Sequence, residues 1–104
     1  MAPNKFIKFR SSTIDLFNQY DVPLKLNATL CFIVESYFKD KKLTVSETIS
    51  QKHIASQATI HANIKELIAS NLVTLVVNPS DARIKYLQPT KAALELFKKL
   101  DNLL

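Results

Sequence analysis

The apolar positions of the chain change their spacing several times, and each change marks an element. Leu30, Ile33, Val34, Tyr37 and Phe38 recur at i, i+3, i+4, i+7 and i+8. That is the spacing of one buried helical face, and it predicts a helix over 27–39. The helix runs out in Lys39-Asp40-Lys41-Lys42, a solvated turn whose cations suit a helix C-terminus. Upstream, Ser12 is placed to cap a short helix carrying Ile14, Leu16, Phe17 and Tyr20, halted before Pro23. The residues before it form an arm in which Lys5, Lys8 and Arg10 alternate with Phe6, Ile7 and Phe9.

Thr44-Val45-Ser46-Glu47 has the form of a capping box, the hydroxyl taking one orphan amide while the glutamate reaches back to another. Val45 and Ile49 give the short helix that follows an inner face. After a turn through Lys52-His53-Ile54-Ala55, Ser56 caps a longer helix to about Ser70, with Ile60, Ile64, Leu67 and Ile68 facing inward. Asn71 ends it as one of the few non-glycine residues that accept the left-handed conformation. The period then becomes two. Leu72–Val77 and Arg83–Gln88 read as strands, with Ile84 and Tyr86 inward, around the turn chemistry of Asn78-Pro79-Ser80-Asp81. Pro89 is placed to open a last helix with Ala93, Leu94, Phe97, Leu100 and Leu104 as its apolar stripe. The order is helix, helix, helix, helix, hairpin, helix. It predicts a mainly α (α+β) fold: a winged helix-turn-helix with a two-stranded wing hairpin and flanking N- and C-terminal helices. The chain reads as one domain, 1–104, divided into an N-terminal arm and short helix (1–26), the winged core (27–88) and a C-terminal helix (89–104).

Composition narrows the class. A chain of 104 residues, 47% hydrophobic and 22% charged, matches one globular core rather than a disordered or collagenous one. The longest unbroken apolar run, Leu30–Val34, is far short of the roughly 18–20 residues a membrane span needs. Met1-Ala2-Pro3-Asn4 leads into a basic and aromatic stretch with no secretory signal pattern, and a single cysteine makes neither an internal disulfide nor a thiolate metal site. A cytoplasmic protein without membrane partner or cofactor is expected. The net charge of +5 is spread, with +2 in residues 1–26 and +1 in each of 27–55, 56–88 and 89–104. It fits nucleic-acid binding once folding has gathered it, but equally fits other small domains. Catalysis finds no support. Glycine is absent, so neither a phosphate loop nor a nucleophile elbow can be built, and no Ser/His/Asp set or carboxylate pair is in arrangement. His53 and His61, eight apart on different elements, are no metal site. Cys31, between Leu30 and Phe32, reads as a small buried hydrophobe; the alternative, a redox-sensing thiol, needs exposure and nearby positive charge.

Several pieces in order resemble the helix-turn-helix of the MarR family of bacterial regulators. They are Leu43-Thr44-Val45-Ser46-Glu47, Ser56-Gln57-Ala58-Thr59-Ile60 and Leu67-Ile68-Ala69-Ser70-Asn71-Leu72-Val73, followed by Asn78-Pro79-Ser80-Asp81-Ala82-Arg83 and Leu87-Gln88-Pro89-Thr90-Lys91. The likeness covers roughly residues 26–100. It implies a dimeric transcription regulator whose 56–70 helix enters the major groove of double-stranded DNA while the wing, 78–83, reaches the adjacent minor groove. The groove-facing positions it implies are Gln57, Ala58, Thr59, His61 and Ala62, with Asp81 bracing the wing turn and Arg83 reaching into the groove. The chain departs from the family in carrying Ala62 and Ala82 where polar or basic side chains are usual. It also departs in a turn before Ser56 that is longer and has no glycine. The family's effector pocket leaves room for a small-molecule ligand, for which these residues give no support.

The residues have chemistry of their own for this. At 100° per residue, Ala58, Ala62 and Ala69 fall at the outward centre of the 56–70 helix, with His61 and Lys65 on one flank and Thr59 and Glu66 on the other. Small residues let a helix sit deep in a groove, or simply favour helicity on a solvated face. Ser56 and Gln57 stand at the helix N-terminus, where amides meet phosphate and a glutamine can pair with adenine, or where water suffices. Arg83 at the wing tip suits a narrow, electronegative minor groove; the plainer alternative is a surface ion pair with Asp81. Lys65 and Lys85 are candidate phosphate contacts. The first expectation is a sequence-specific DNA-binding regulator acting as a homodimer through Phe6, Ile7, Phe9, Ile14, Phe17, Leu96, Leu100, Leu103 and Leu104. The alternative is a winged-helix protein-interaction module, or a plasmid or phage replication or assembly factor.

Overall fold

The computed structural model describes residues 4–104, so Met1-Ala2-Pro3 of the N-terminal reading lie outside the described residues. Five α-helices, α1 (Lys5–Gln19), α2 (Asn27–Phe38), α3 (Val45–Ile49), α4 (Gln57–Ala69) and α5 (Lys91–Asp101), surround a sheet of β1 (Leu43–Thr44), β2 (Val73–Asn78) and β3 (Asp81–Pro89). A 3-10 turn, Leu24–Leu26, joins α1 to α2. The sheet is antiparallel in the order β1-β3-β2, with Leu43 opposite Leu87 and Leu87 opposite Leu75. One hydrophobic cluster runs from Phe17 and Val22 through Leu30, Ile33, Leu43, Ile60, Leu67 and Leu87 to Leu96. No described helix is long and apolar enough to cross a membrane.

The N-terminal helix begins a full two turns earlier than its sequence reading. Asn4, not Ser12, is the cap; its side chain accepts a hydrogen bond from the Ile7 amide at 3.1 Å. Ser12 and Thr13 lie inside α1, and the Thr13 hydroxyl donates back to the Arg10 carbonyl, the local bond that lets a threonine sit mid-helix. Phe6, Ile7 and Phe9 are therefore helical and exposed, and the first turns of α1 project beyond the core. The helix closes with Asp21 at φ 56° before Pro23.

Other boundaries moved for similar local reasons. On α2 only Leu30, Ile33 and Val34 of the expected stripe are buried; Tyr37 and Phe38 stand 38% and 66% exposed, stacked edge to face on each other at the helix end. β1 makes the sheet three-stranded rather than two, since two residues are too short for any alternation to announce them. Thr90 rather than a proline at N1 opens α5: Pro89 ends β3, the Thr90 side chain accepts from the Ala93 amide, and its own hydroxyl donates to the Asn71 carbonyl. The inward phase of β3 is also reversed. Leu87 is buried between its two partner strands, Ile84 is exposed and Tyr86 only half-buried. On α5 the buried residues are Ala93 and Leu96 rather than Leu94, and Leu104 is exposed beyond the helix.

The motif itself follows its sequence closely. Thr44 and Glu47 form the reciprocal capping box, the Glu47 amide donating to the Thr44 hydroxyl at 3.1 Å and the Thr44 amide to the Glu47 carboxylate at 3.2 Å. Asn71 takes φ 60° at the end of α4, turning the chain into β2.

Candidate nucleic-acid interface

Helix α4 starts on Ser56, whose hydroxyl accepts from the Thr59 amide at 3.2 Å and donates to the Thr59 hydroxyl at 2.9 Å. Packing against α2, α3 and β2 buries Ile60, Asn63, Ile64 and Leu67. Gln57, Ala58, Thr59, His61, Ala62 and Lys65 are all exposed on the other side, together with Ser56. All seven carry groups for recognition in the sense a groove requires: an amide, two hydroxyls, an imidazole, an ammonium, and two methyls that suit a thymine methyl. Glu66 would interrupt this surface with negative charge, but its carboxylate is held by Lys25 at 2.9 Å on the flank of the helix.

The wing is the β2–β3 hairpin. Its pairing slips near the tip: Val77 opposes Lys85 and Asn78 opposes Asp81, so Ala82, Arg83 and Ile84 of β3 have no counterparts on β2. A bulge of this kind re-aims side chains at a strand end. Asn78 shapes the turn twice, accepting from the Ser80 amide at 2.8 Å and donating to the Tyr86 hydroxyl at 2.9 Å. Asp81 takes the Arg83 amide at 3.0 Å and both Nε and one Nη of its guanidinium at 3.1 Å. This fork lowers the Asp81 pKa and raises that of Arg83, in both cases chiefly through the side-chain bonds of the pair. The Arg83 side chain is nonetheless 91% exposed, so it is presented by the bond rather than hidden by it. Ala82 beside it is exposed as well.

Arg83 and Lys85 share a cleft of about 420 Å³ with Thr44, Val45 and Ser46, across which the start of α3 faces the wing. The structure thus brings the two wing cations to one place with Ser46, a residue the sequence reading had not singled out. Two others were missed. Lys25, distant in sequence, neutralises Glu66, and no local signal announces a pair separated so far along the chain. Asn63 lies on the inner face of α4, and its position three residues after Ile60 was a legible signal of burial. His53 is exposed in its turn.

A groove of about 980 Å³ lies between α1, α2 and α5, walled by Phe17, Phe97 and Leu100. Asn27 lines it with a buried side-chain oxygen that finds no partner among the described residues. Cys31 also lines it and, contrary to its expected burial, is exposed there, because α2 turns that face to the groove and not to the core. Crowding by the groove walls, and secondarily the Glu35 charge, raise its thiol pKa. Phe17 and Leu96, expected on a free apolar surface, belong to the core instead; Phe6, Ile7, Phe9, Leu103 and Leu104 are the ones left exposed.

This architecture is the winged helix of the MarR-like kind, the two motif helices α3 and α4 leading into a braced wing with helices α1 and α5 packed beside each other. Solved structures that share it include the MepR–DNA complex of S. aureus, with 18% identity and a TM-score of 0.72 over 90% of this chain and 68% of that one. MepR of S. aureus bound to ethidium bromide matches with 16% identity and a TM-score of 0.71, over 92% and 66% of the two chains. The transcriptional regulator Tm0710 from Thermotoga maritima matches with 17% identity and a TM-score of 0.68, over 92% and 64%. The chain spans about two thirds of each, and at these identities the likeness is one of fold. No protein-family model matches the chain, and no curated protein does.

Proposed function

We propose that the protein is a sequence-specific, double-stranded-DNA-binding transcription regulator that acts as a homodimer, with α4 in the major groove and the wing at the adjacent minor groove. The observation that carries this reading is the pair of Asp81 and Arg83. A carboxylate that fixes the guanidinium by three hydrogen bonds while leaving the side chain almost fully exposed orders an arginine for a partner outside the chain. A solvent-exposed ion pair adds little to folding, so stability alone is a weak reason for it. The fold shared with a DNA-bound regulator supports the same reading.

In this proposal Gln57, Ala58, Thr59, His61 and Ala62 meet base edges, Ser56 and Lys65 meet the backbone at the start and middle of α4, and Lys85 contacts phosphate beside Arg83. Asp81 stays on the protein side as the brace. A lone copy offers one recognition helix, and two copies about a twofold axis read half-sites about one DNA turn apart. The exposed Phe6, Ile7, Phe9, Leu103 and Leu104 supply the dimer surface.

Fluorescence anisotropy tests the reading, with labelled duplexes from the protein's own upstream region and a scrambled control, at two salt concentrations. The expected result is tight, salt-sensitive binding that prefers the upstream duplex, with Arg83→Ala weakening it by about 1–3 kcal/mol. Salt-sensitive binding with no preference would replace a regulator with an architectural protein. Absence of binding near physiological salt would favour the interaction module, for which the exposed Leu75, Val76 and Val77 on the edge strand β2 are the surface to examine.

A further inference from the structure

The core face of α4 is not the face its apolar residues define. Those residues, Ile60, Ile64, Leu67 and Ile68, centre their stripe between Ile60 and Ile64. The residues actually buried are Ile60, Asn63, Ile64 and Leu67, while Ile68 is only half-buried. At 100° per residue the two centres differ by roughly 35°, with the helix turned toward Asn63. Asn63 has 6% of its surface exposed; its amide donates to the Thr29 hydroxyl at 3.2 Å and more weakly to the Lys25 carbonyl at 3.5 Å. Thr29, on α2, is fully buried. On the same flank of α4, one turn further along, Glu66 is tied to Lys25. Both polar ties pull that flank against the 3-10 turn and the start of α2.

We propose that Asn63, through Thr29 and the Lys25 carbonyl, is a positioning residue that sets the rotational register of α4 and thereby which side chains meet the DNA bases. This rests on the DNA-binding reading above. For a helix whose side chains reach ~5–6 Å from its axis, a roll of roughly 35° carries their tips about 3 Å. That is on the order of the ~3.4 Å between successive base pairs, so the roll alone decides which step a side chain can reach. Its direction also matters. The observed roll brings Ala58 and Ala69 to the outward centre, moves Lys65 and His61 toward it and swings Glu66 away to Lys25. Without it, Ala62 would lead and Glu66 would lie nearer the DNA. Hydrophobic burial is non-directional and tolerates either roll. A buried amide that must be hydrogen-bonded admits only one, which is how a polar group fixes register inside an apolar interface.

The test compares the native protein with the double variant Asn63→Leu and Thr29→Val, which removes both polar partners at similar volume. Each is titrated by anisotropy against the preferred duplex, a scrambled duplex and a panel of singly substituted duplexes, with a thermal melt alongside. The expected result is a folded variant whose affinity for the scrambled duplex stays within about twofold. Its preference for the native site falls about tenfold or more, and the positions at which single substitutions cost affinity move or flatten. A folded variant that keeps both preference and profile overturns the proposal. So does one that loses native and scrambled binding in parallel with its melting temperature, since that marks Asn63 as a fold residue only. Failure of the DNA reading is distinct: the native protein itself would then show no preferred duplex.

Discussion

Arg83 and Asp81 show how little separates a structural contact from a recognition device at the scale of one residue. The three bonds between them are the same in either role; only the exposure of the guanidinium differs. In Asp81→Ala the arginine keeps its charge but loses its brace. Glu47 is a second case where a side chain holds its geometry by charge. Hydrogen bonds from the Thr44 amide and hydroxyl, assisted by Lys41, hold its pKa below the ordinary carboxylate value. A carboxylate with a lowered folded pKa contributes stability above its unfolded value of about 4.3 and loses it as pH falls through the folded one. Thr44→Ala is therefore expected to cost about 1 kcal/mol near neutral pH. Thermal melts from pH 7 down to about 3 should show that difference shrinking as Glu47 protonates in the native protein. A gap independent of pH would mean that the carboxylate plays no part in the cap.

Among the elements, α4 and the strand after it depend on one backbone conformation. Asn71 at φ 60° ends the helix and sends Leu72 and Val73 into the core. The Thr90 hydroxyl bonds the Asn71 carbonyl and the Thr90 amide the Leu72 carbonyl, so the start of α5 is keyed to the same turn. Asn71→Val places a β-branched residue in the left-handed region and is expected to cost about 1–2 kcal/mol in denaturant unfolding. Asn71→Gly should be neutral or slightly stabilising, and an equal loss in both would show that the asparagine side chain, not the backbone angle, matters. The capping residues Thr44 and Ser56 were legible in the sequence because each cap is a bond to a residue three positions on, and Asn71 because few non-glycine residues accept its backbone angle. Asn4 was as legible in principle, but the aromatic residues after it drew the reading toward an arm. β1 was not legible, because its pairing with β3 joins residues more than 40 positions apart.

For the whole molecule the apolar surface is uneven. Phe6 and Ile7 on α1, Phe38 at the end of α2 and Leu104 after α5 are all exposed, and Phe38 and Leu104 line the large groove between α1, α2 and α5. Surface of this kind on a small chain marks an interface. Light scattering at rising concentration is expected to give a dimer, and Phe6→Glu with Ile7→Glu a monomer that stays folded. Because one half-site then remains, the monomer should lose most of its affinity for a palindromic duplex while still binding weakly. A native monomer at high concentration would sink the dimer. The candidate DNA surface was legible residue by residue, since exposure on α4 follows from the period of its apolar positions. Its electrostatics were not, because whether Glu66 breaks the surface depended on Lys25 arriving from a distant turn.

The sequence alone determined where each helix of the motif begins, that a hairpin follows, and which side chains of α4 stay exposed. These are short-range matters: caps, turn chemistry and the 3.6 and 2 residue periods act between neighbours. Tertiary structure decided the roll of α4, the third strand, the bulge that projects Arg83, and the division of the terminal apolar residues between core and surface. Each of these is settled by a partner from another element: Thr29 for Asn63, Leu43 for Leu87, and the sheet register for the wing tip. For Phe17 the decision fell to Phe97, packed edge to face upon it at 6.1 Å. Periodicity tells a residue that it has an inner face; only the elements that arrive there fix what that face meets.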